Sequence, residues 1–443
     1  MDDLDGALGR AWRDDRAERF HTRLTELGPR LGGSPGERRA ADLVVEAFDE
    51  AGLGPHVERF ELAAWERGDA ALRVSGERDG RPIERAFAAP ALPYSPPGEV
   101  EAELVDVGYG TPEEIADADV EGAVAVASTT TPPEMGRFVH RMEKYGHAVD
   151  AGAAGFVFTN HVEGQLPPTG SLRFDAEGSI PAVGVSKETG DWLREYADLG
   201  ATADLRVEAA TEPGESQNVV GSLGPDTDEA VVLAAHYDAH DVAEGALDNG
   251  CGIASLVAAL PVLRALEPAC RVVVAGLGSE EVGLIGAEAL ADRLDLDSVR
   301  AVVNVDGAGR ARDLQAYTHG HDGLGELVEQ VAGDAGQPVV VEETPHPYSD
   351  HWPFLRAGVP SLQLHSTSPE EGRGRGWGHT SADTRDKVDY RDVREHGMLA
   401  ALLTAELAGG DPERVDPEEL AAALRGADAE AGMRAAGLWP DGW

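Results

Sequence analysis

From Asn218 onward the chain alternates short apolar runs with helical segments, and this most constrains what it can become. DEAVVLAAHYD, RVVVAGLGSEE, VRAVVNVDG and VPSLQLHS read as strands. Between and after them GIASLVAALPVLRAL, LIGAEALADRL, LGELVEQVAGDAG and VREHGMLAALLTAEL carry helical periodicity. Strands that alternate with helices give a mixed, mostly parallel α/β sheet covered by helices on both faces. Such sheets hold ligands at the carboxyl ends of their strands.

The N-terminal part differs. ERRAADLVVEAFDEAGL reads as an amphipathic helix ending near Gly52, and residues 56–90 alternate like strands. A proline- and glycine-rich junction covers residues 91–110. EAELVDVGYG, VEGAVAVAS, AGAAGFVFTN and SIPAVGVS then read as short strands, with a helix around Arg137–Gly152. The expected division is residues 1–70 and 211–443 as one domain and 71–210 as an inserted one. The acidic tail after Gly410 reads as helical and packed on the surface.

The polar residues at the strand ends carry the chemistry. The first strand ends in His236-Tyr237-Asp238, and Asp248 follows in GALDNG. The second ends in Ser279-Glu280-Glu281, the third in Asn304-Val305-Asp306, and WGHTSADT brings His379 and Asp383. Imidazole with carboxylate suits zinc, whose catalytic sites keep one position open. Five candidate ligands exceed the needs of one such ion, and two ions sharing a carboxylate would use all five. Of the adjacent Glu280 and Glu281, one can bind metal while the other accepts a proton from water.

These pieces, in this order, resemble the M28 family of zinc aminopeptidases and carboxypeptidases. The resemblance extends to Gly33-Ser34-Pro35 and to Ser349-Asp350-His351-Trp352-Pro353-Phe354. The related M20 family has a longer gap between its first histidine and the shared aspartate, and a lid domain before its last ligand. Here Asp248 follows His236 by 12 residues and His379 follows Asp306 by 73. The resemblance implies a di-zinc exopeptidase acting on peptide substrates, with other divalent metals allowed. It makes Asp248 the bridging ligand, His236 and Asp306 the partners at one zinc, and Glu281 and His379 those at the other. It makes Glu280 the general base, Asp238 and Asp383 the groups orienting the histidines, and Asp248–Asn249 a cis peptide.

An aminopeptidase is the first expectation. The alternatives are a dipeptidase or carboxypeptidase of the carboxypeptidase Q type, which the Asp241–Ala246 stretch resembles, and a non-catalytic binding protein on the same fold. Residues 71–210 resemble a protease-associated (PA) domain through VEGAVAVAS and AGAAGFVFTN. Cys251 departs from the family's usual small residue and reads as a packed thiol. Gly378 stands where several relatives carry an oxyanion-supporting tyrosine, leaving Tyr348 or His351 as candidates for that role. His240 and Asp241 read equally as loop hydrogen-bonding groups or substrate contacts. Relatives allow a homodimer.

Charge bounds the partners. The chain carries 37 basic and 81 acidic side chains, a net charge of −44, with only Lys144, Lys187 and Lys387 as lysines. So negative a field repels phosphate backbones and anionic lipid, so neither nucleic acid nor membrane is an expected partner. Two cysteines, Cys251 and Cys270, build no disulfide framework; one bridge or two free thiols remain open. The acidic N-terminus lacks the basic start of a signal peptide, and no 18-residue apolar stretch is apparent, giving a cytoplasmic expectation. The composition resembles that of salt-adapted proteins, or simply of a very soluble acidic enzyme. On the first reading, molar KCl screens the self-repulsion and raises the thermal midpoint. An equal midpoint in dilute buffer, followed by circular dichroism, contradicts it.

Overall fold

The computed structural model describes residues 2–367 and 376–443. The chain divides into two compact units. The first comprises residues 2–62, 215–367 and 383–423, the second residues 63–214, 376–382 and 424–443.

In the first unit, the mixed α/β sheet has Ala230–His236 at its centre, flanked in parallel by Arg271–Leu277 and Val299–Val305. Ser361–Thr367 adds a further parallel strand beside Val299–Val305. These are the four strands expected from the sequence. Two short strands were not expected: Asp313–Tyr317 pairs antiparallel with Ser361–Thr367, and Val339–Glu342 lies parallel outside it. On the other edge, Val219–Leu223 runs antiparallel to Arg271–Leu277. Every residue of Ala230–His236 is buried, which explains its unbroken apolar sequence.

The helix Cys251–Leu266 is apolar all round because it is enclosed by the sheet and by the helices Tyr390–Gly409, Asp2–Ala11 and Arg16–Thr25. A β-carbon at Gly397 would lie 2.4 Å from the Ser255 carbonyl oxygen, so glycine there permits the close approach of Tyr390–Gly409 to Cys251–Leu266. Contrary to the expectation of no membrane-length apolar stretch, Ala246–Leu266 is long and apolar enough to cross a bilayer. Of its 18-residue apolar window, 89% is buried, and it is the core helix of this unit. The helix Pro35–Glu50 starts where Ser34 accepts the Glu37 amide hydrogen, with Pro35 fixing the first turn.

In the second unit, Gly98–Asp106, Val124–Ser128, Gly155–Thr159 and Ala182–Val185 form a parallel run, with residues 202–207 antiparallel on its outer edge. Residues 72–78 and the strand Arg81–Phe87 make a hairpin across Asp79-Gly80, both in the left-handed region that a tight hairpin turn requires. The helix Arg141–Asp150 lies where one was expected, shortened at its start. Residues of the tail form Glu430–Ala436, which packs on it.

Lys144 is completely buried within this unit, its Nζ donating to the Ser128 and Thr130 carbonyls at 2.7 and 2.6 Å. Burial lowers its pKa to about 7. The unfolded chain therefore holds that proton over a range where the folded chain has lost it, so stability rises with pH from about 7 toward 10.5. Urea midpoints at pH 7 and pH 9.5 should show the wild type gaining on Lys144→Met; a constant gap means that Lys144 stays charged.

Candidate metal centre

The parallel register brings three strand ends to one edge of the first unit's sheet. His236 pairs with Leu277, and Asn304 with Ala234, so Asp306 emerges level with His236 and Glu280 just beyond it. One ligand atom from each of His236, Glu280 and Asp306 lies within 4.8 Å of the others. His236 Nε2 is 3.8 Å from both Asp248 Oδ1 and Asp306 Oδ1. All four side chains are buried.

His236 Nε2 has no hydrogen-bond partner among the described residues. A separation of 3.8 Å is too long for a hydrogen bond, yet both donors of such a pair reach one zinc at about 2.0–2.2 Å. The donor set therefore fits a zinc ion. Both oxygens of Asp350, 1% exposed, likewise have no hydrogen-bond partner among the described residues.

Asp238 organises the site from behind. Its Oδ1 lies 3.3 Å from His236 Nδ1 and accepts the Glu280 amide hydrogen at 3.0 Å. Its Oδ2 accepts the Glu281 amide hydrogen at 3.2 Å. Asp383, expected to orient His379, accepts the amide hydrogens of Leu247 and Asp248 at 2.6 and 3.1 Å. The Asp248–Asn249 peptide is cis, as the resemblance implied. Asn249 spans to the third strand's end, donating to the Val305 carbonyl and accepting from the Gly307 amide. A β-carbon at Gly252 would lie 2.1 Å from Asn249 Oδ1, so only glycine leaves that amide its place.

The electrostatics follow from burial. Burial pushes Glu280 well above the usual carboxylate range; Glu281, Asp306 and Asp350 push the same way, and His236 opposes. Burial drives His236 down, but Glu280, Asp238 and Asp306 raise it well above the usual imidazole value. Burial pushes Asp350 up, and the charge of His236 works against that. Cys251 is a free, buried thiol whose pKa burial raises, which fits a packed group.

Other contacts of the site were not apparent from the sequence. Glu281 Oε2 lies 2.9 Å from His240 Nε2, and Arg310 Nη2 lies 3.2 Å from Asp248 Oδ2. Arg30 is wholly buried and ties down the loop after the first strand through the carbonyls of Tyr237, Glu244 and Gly245. Ser279, at φ +60°, holds a left-handed conformation that a serine adopts only at a cost. Its hydroxyl donates to Glu37, which also accepts from Ser216 and the Gly33 amide; burial raises Glu37 to about 8. None of these contacts leaves a local pattern, except that His240 extends His236-x-Asp238 by one more alternation.

His379 belongs to the second unit. It is buried, adopts φ +59°, and its Nδ1 lies 3.2 Å from the Thr169 carbonyl. A backbone carbonyl beside one ring nitrogen is the usual way a liganding imidazole is oriented.

Residues 218–404 match the peptidase family M28 and residues 100–193 the PA domain. The chain is 27% identical to aminopeptidase YwaD of Bacillus subtilis over 391 residues, 86% of this chain and 81% of that protein. It is 25% identical to mouse carboxypeptidase Q over 283 residues, 61% of this chain and 59% of that one. The solved structure of BSAP, a zinc aminopeptidase from Bacillus subtilis, superposes with a TM-score of 0.67 at 26% identity, covering 91% of this chain and 98% of that one.

Ser349 Oγ donates to Asp306 Oδ2 at 2.6 Å while accepting from Asn304 Nδ2 at 2.7 Å, which fixes the carboxylate's orientation. Ser349→Ala should lower zinc affinity about 10–100-fold with little change in thermal midpoint. Competition against a chromophoric chelator measures this, and unchanged affinity means that Asp306 needs no such support.

Proposed function

We propose that this chain, whose residues 218–404 match peptidase family M28 and residues 100–193 the PA domain, is a two-zinc aminopeptidase. One observation carries the reading: a buried imidazole nitrogen with no hydrogen-bond partner among the described residues, equidistant from two buried carboxylates and beside a third. Asp248 is the shared ligand, with His236 and Asp306 on one side and Glu281 on the other. His379 completes the second set by its place in the family's motif. Zinc held there supplies a Lewis acid for the scissile carbonyl and makes water acidic enough to attack near neutral pH.

The protein's own groups manage the proton. Glu280 lies among the ligand atoms, with a proton affinity raised by burial. It takes a proton from the attacking water and returns it to the departing amine, so the base of the first step is the acid of the second. Asp238 holds the Glu280 and Glu281 backbones and faces His236, setting base and ligand relative to one another. The surplus of buried carboxylates suits the free α-ammonium of an unblocked peptide. The 25% identity to mouse carboxypeptidase Q over 283 residues keeps a dipeptidase or carboxypeptidase of that type as the second reading.

The test is hydrolysis of leucine-p-nitroanilide, a free dipeptide and their N-acetylated forms in molar KCl. Chelator-sensitive cleavage of the free-amine substrates alone is the expected result. Cleavage of only the dipeptide selects the second reading, and cleavage of N-acetylated peptides excludes an aminopeptidase. Glu280→Gln should lower kcat about 10²–10⁴-fold with metal content unchanged. Substantial residual turnover removes Glu280 from the role of base.

A further inference from the structure

The first catalytic strand ends in His236-Tyr237-Asp238-Ala239-His240. Ala239 makes an antiparallel bridge with Arg30, so the backbone stays extended beyond the strand, and alternate side chains share a side. Tyr237 takes one side, its hydroxyl directed to the Gln217 carbonyl. His236, Asp238 and His240 take the other. The first two already belong to the metal centre, and the period of two places His240 with them.

His240 is 4% exposed, and its Nε2 lies 2.9 Å from Oε2 of Glu281, itself 4% exposed. Two donors about 2.1 Å from one zinc lie about 3.4 Å apart at the tetrahedral angle and about 3 Å apart at the right angles found when coordination expands to five. The pair therefore has the spacing of neighbouring ligands. The surroundings favour adding a cation: Asp238, Asp248, Glu280, Glu281, Asp306 and Asp350 are all buried here. A hydrogen bond from a neutral imidazole offsets none of that charge.

We propose that His240 is a further nitrogen ligand of the metal that Glu281 holds. This rests on the two-zinc reading above. It makes the Glu281 site richer in imidazole than its neighbour, which favours zinc, cobalt or nickel over magnesium or manganese.

The test uses the full chain, stripped of metal and titrated with zinc against a chromophoric chelator and with cobalt followed by visible absorption. The wild type, His240→Ala and His240→Gln are compared, with folding checked by circular dichroism. The wild type should take up two ions. Both variants should lose at least about 10-fold in affinity for one of them and shift the cobalt d–d bands. Glutamine keeps a hydrogen bond to Glu281 but offers no imidazole. Wild-type affinity in His240→Gln makes His240 a mere support for Glu281 and overturns the proposal, as does unchanged affinity in His240→Ala. X-ray absorption of the zinc-loaded wild type gives a readout independent of any variant's folding. It should count three imidazoles over two zincs, and two over two overturns the proposal. A folded wild type that binds no zinc overturns the underlying reading. One that binds two, with both variants unaffected, overturns only the role of His240.

Discussion

Carboxylates buried together repel one another and lose their hydration, and the carboxyl edge of the first unit's sheet is built around that cost. Asp238, Asp248, Glu280, Glu281, Asp306 and Asp350 are all withdrawn from water. Burying unpaired charge costs several kcal/mol per group, far more than a domain's usual margin can absorb repeatedly. Two resolutions exist: protons shared among the acids, or cations bound between them. Arg310 beside Asp248 is one built-in cation. His236 Nε2, 3.8 Å from two of the acids and without a hydrogen-bond partner among the described residues, points to metal as the rest of the answer.

The scaffold holds this arrangement by spending backbone amides on carboxylates. Asp238 takes the amides of Glu280 and Glu281, and Asp383 those of Leu247 and Asp248. Amide donors favour the ionised acid without adding a mobile charge. Asp238 therefore locks Glu280 and Glu281 to a second strand end, and Asp383 fixes the backbone of Asp248. Movement of one strand end would misplace the neighbouring ligand, which is how a rigid parallel sheet becomes a precise site.

The strand-end chemistry was legible in the sequence because a parallel sheet places function at fixed points of its pattern. His236, Asp248, Glu280 and Asp306 each follow a buried apolar run or its connecting loop, and the structure gathers them. What escaped depended on distant partners. Arg30 and Glu37 lie in the N-terminal region and act more than 170 residues away along the chain. Ser349 is an ordinary loop serine until Asp306 is beside it. The strands Asp313–Tyr317 and Val339–Glu342 are short and partly exposed, too weakly patterned to read. His240 carried a usable signal, the period of two after His236, but a histidine in a loop has many ordinary explanations. The apolar length of Ala246–Leu266 was missed because charged and polar residues flank and interrupt it; burial accounts for it.

A metal ion joining His236, Asp248 and Asp306 is what the whole site turns on. A zinc-edge anomalous difference map from crystals of the zinc-loaded protein tests it most directly. The expected map has a peak about 2.0–2.2 Å from His236 Nε2 and from an oxygen of each aspartate, with a second peak about 3.5–4 Å away on the other side of Asp248. A map without a peak there, with His236 Nε2 in direct hydrogen-bond contact with Asp248 or Asp306, would contradict it.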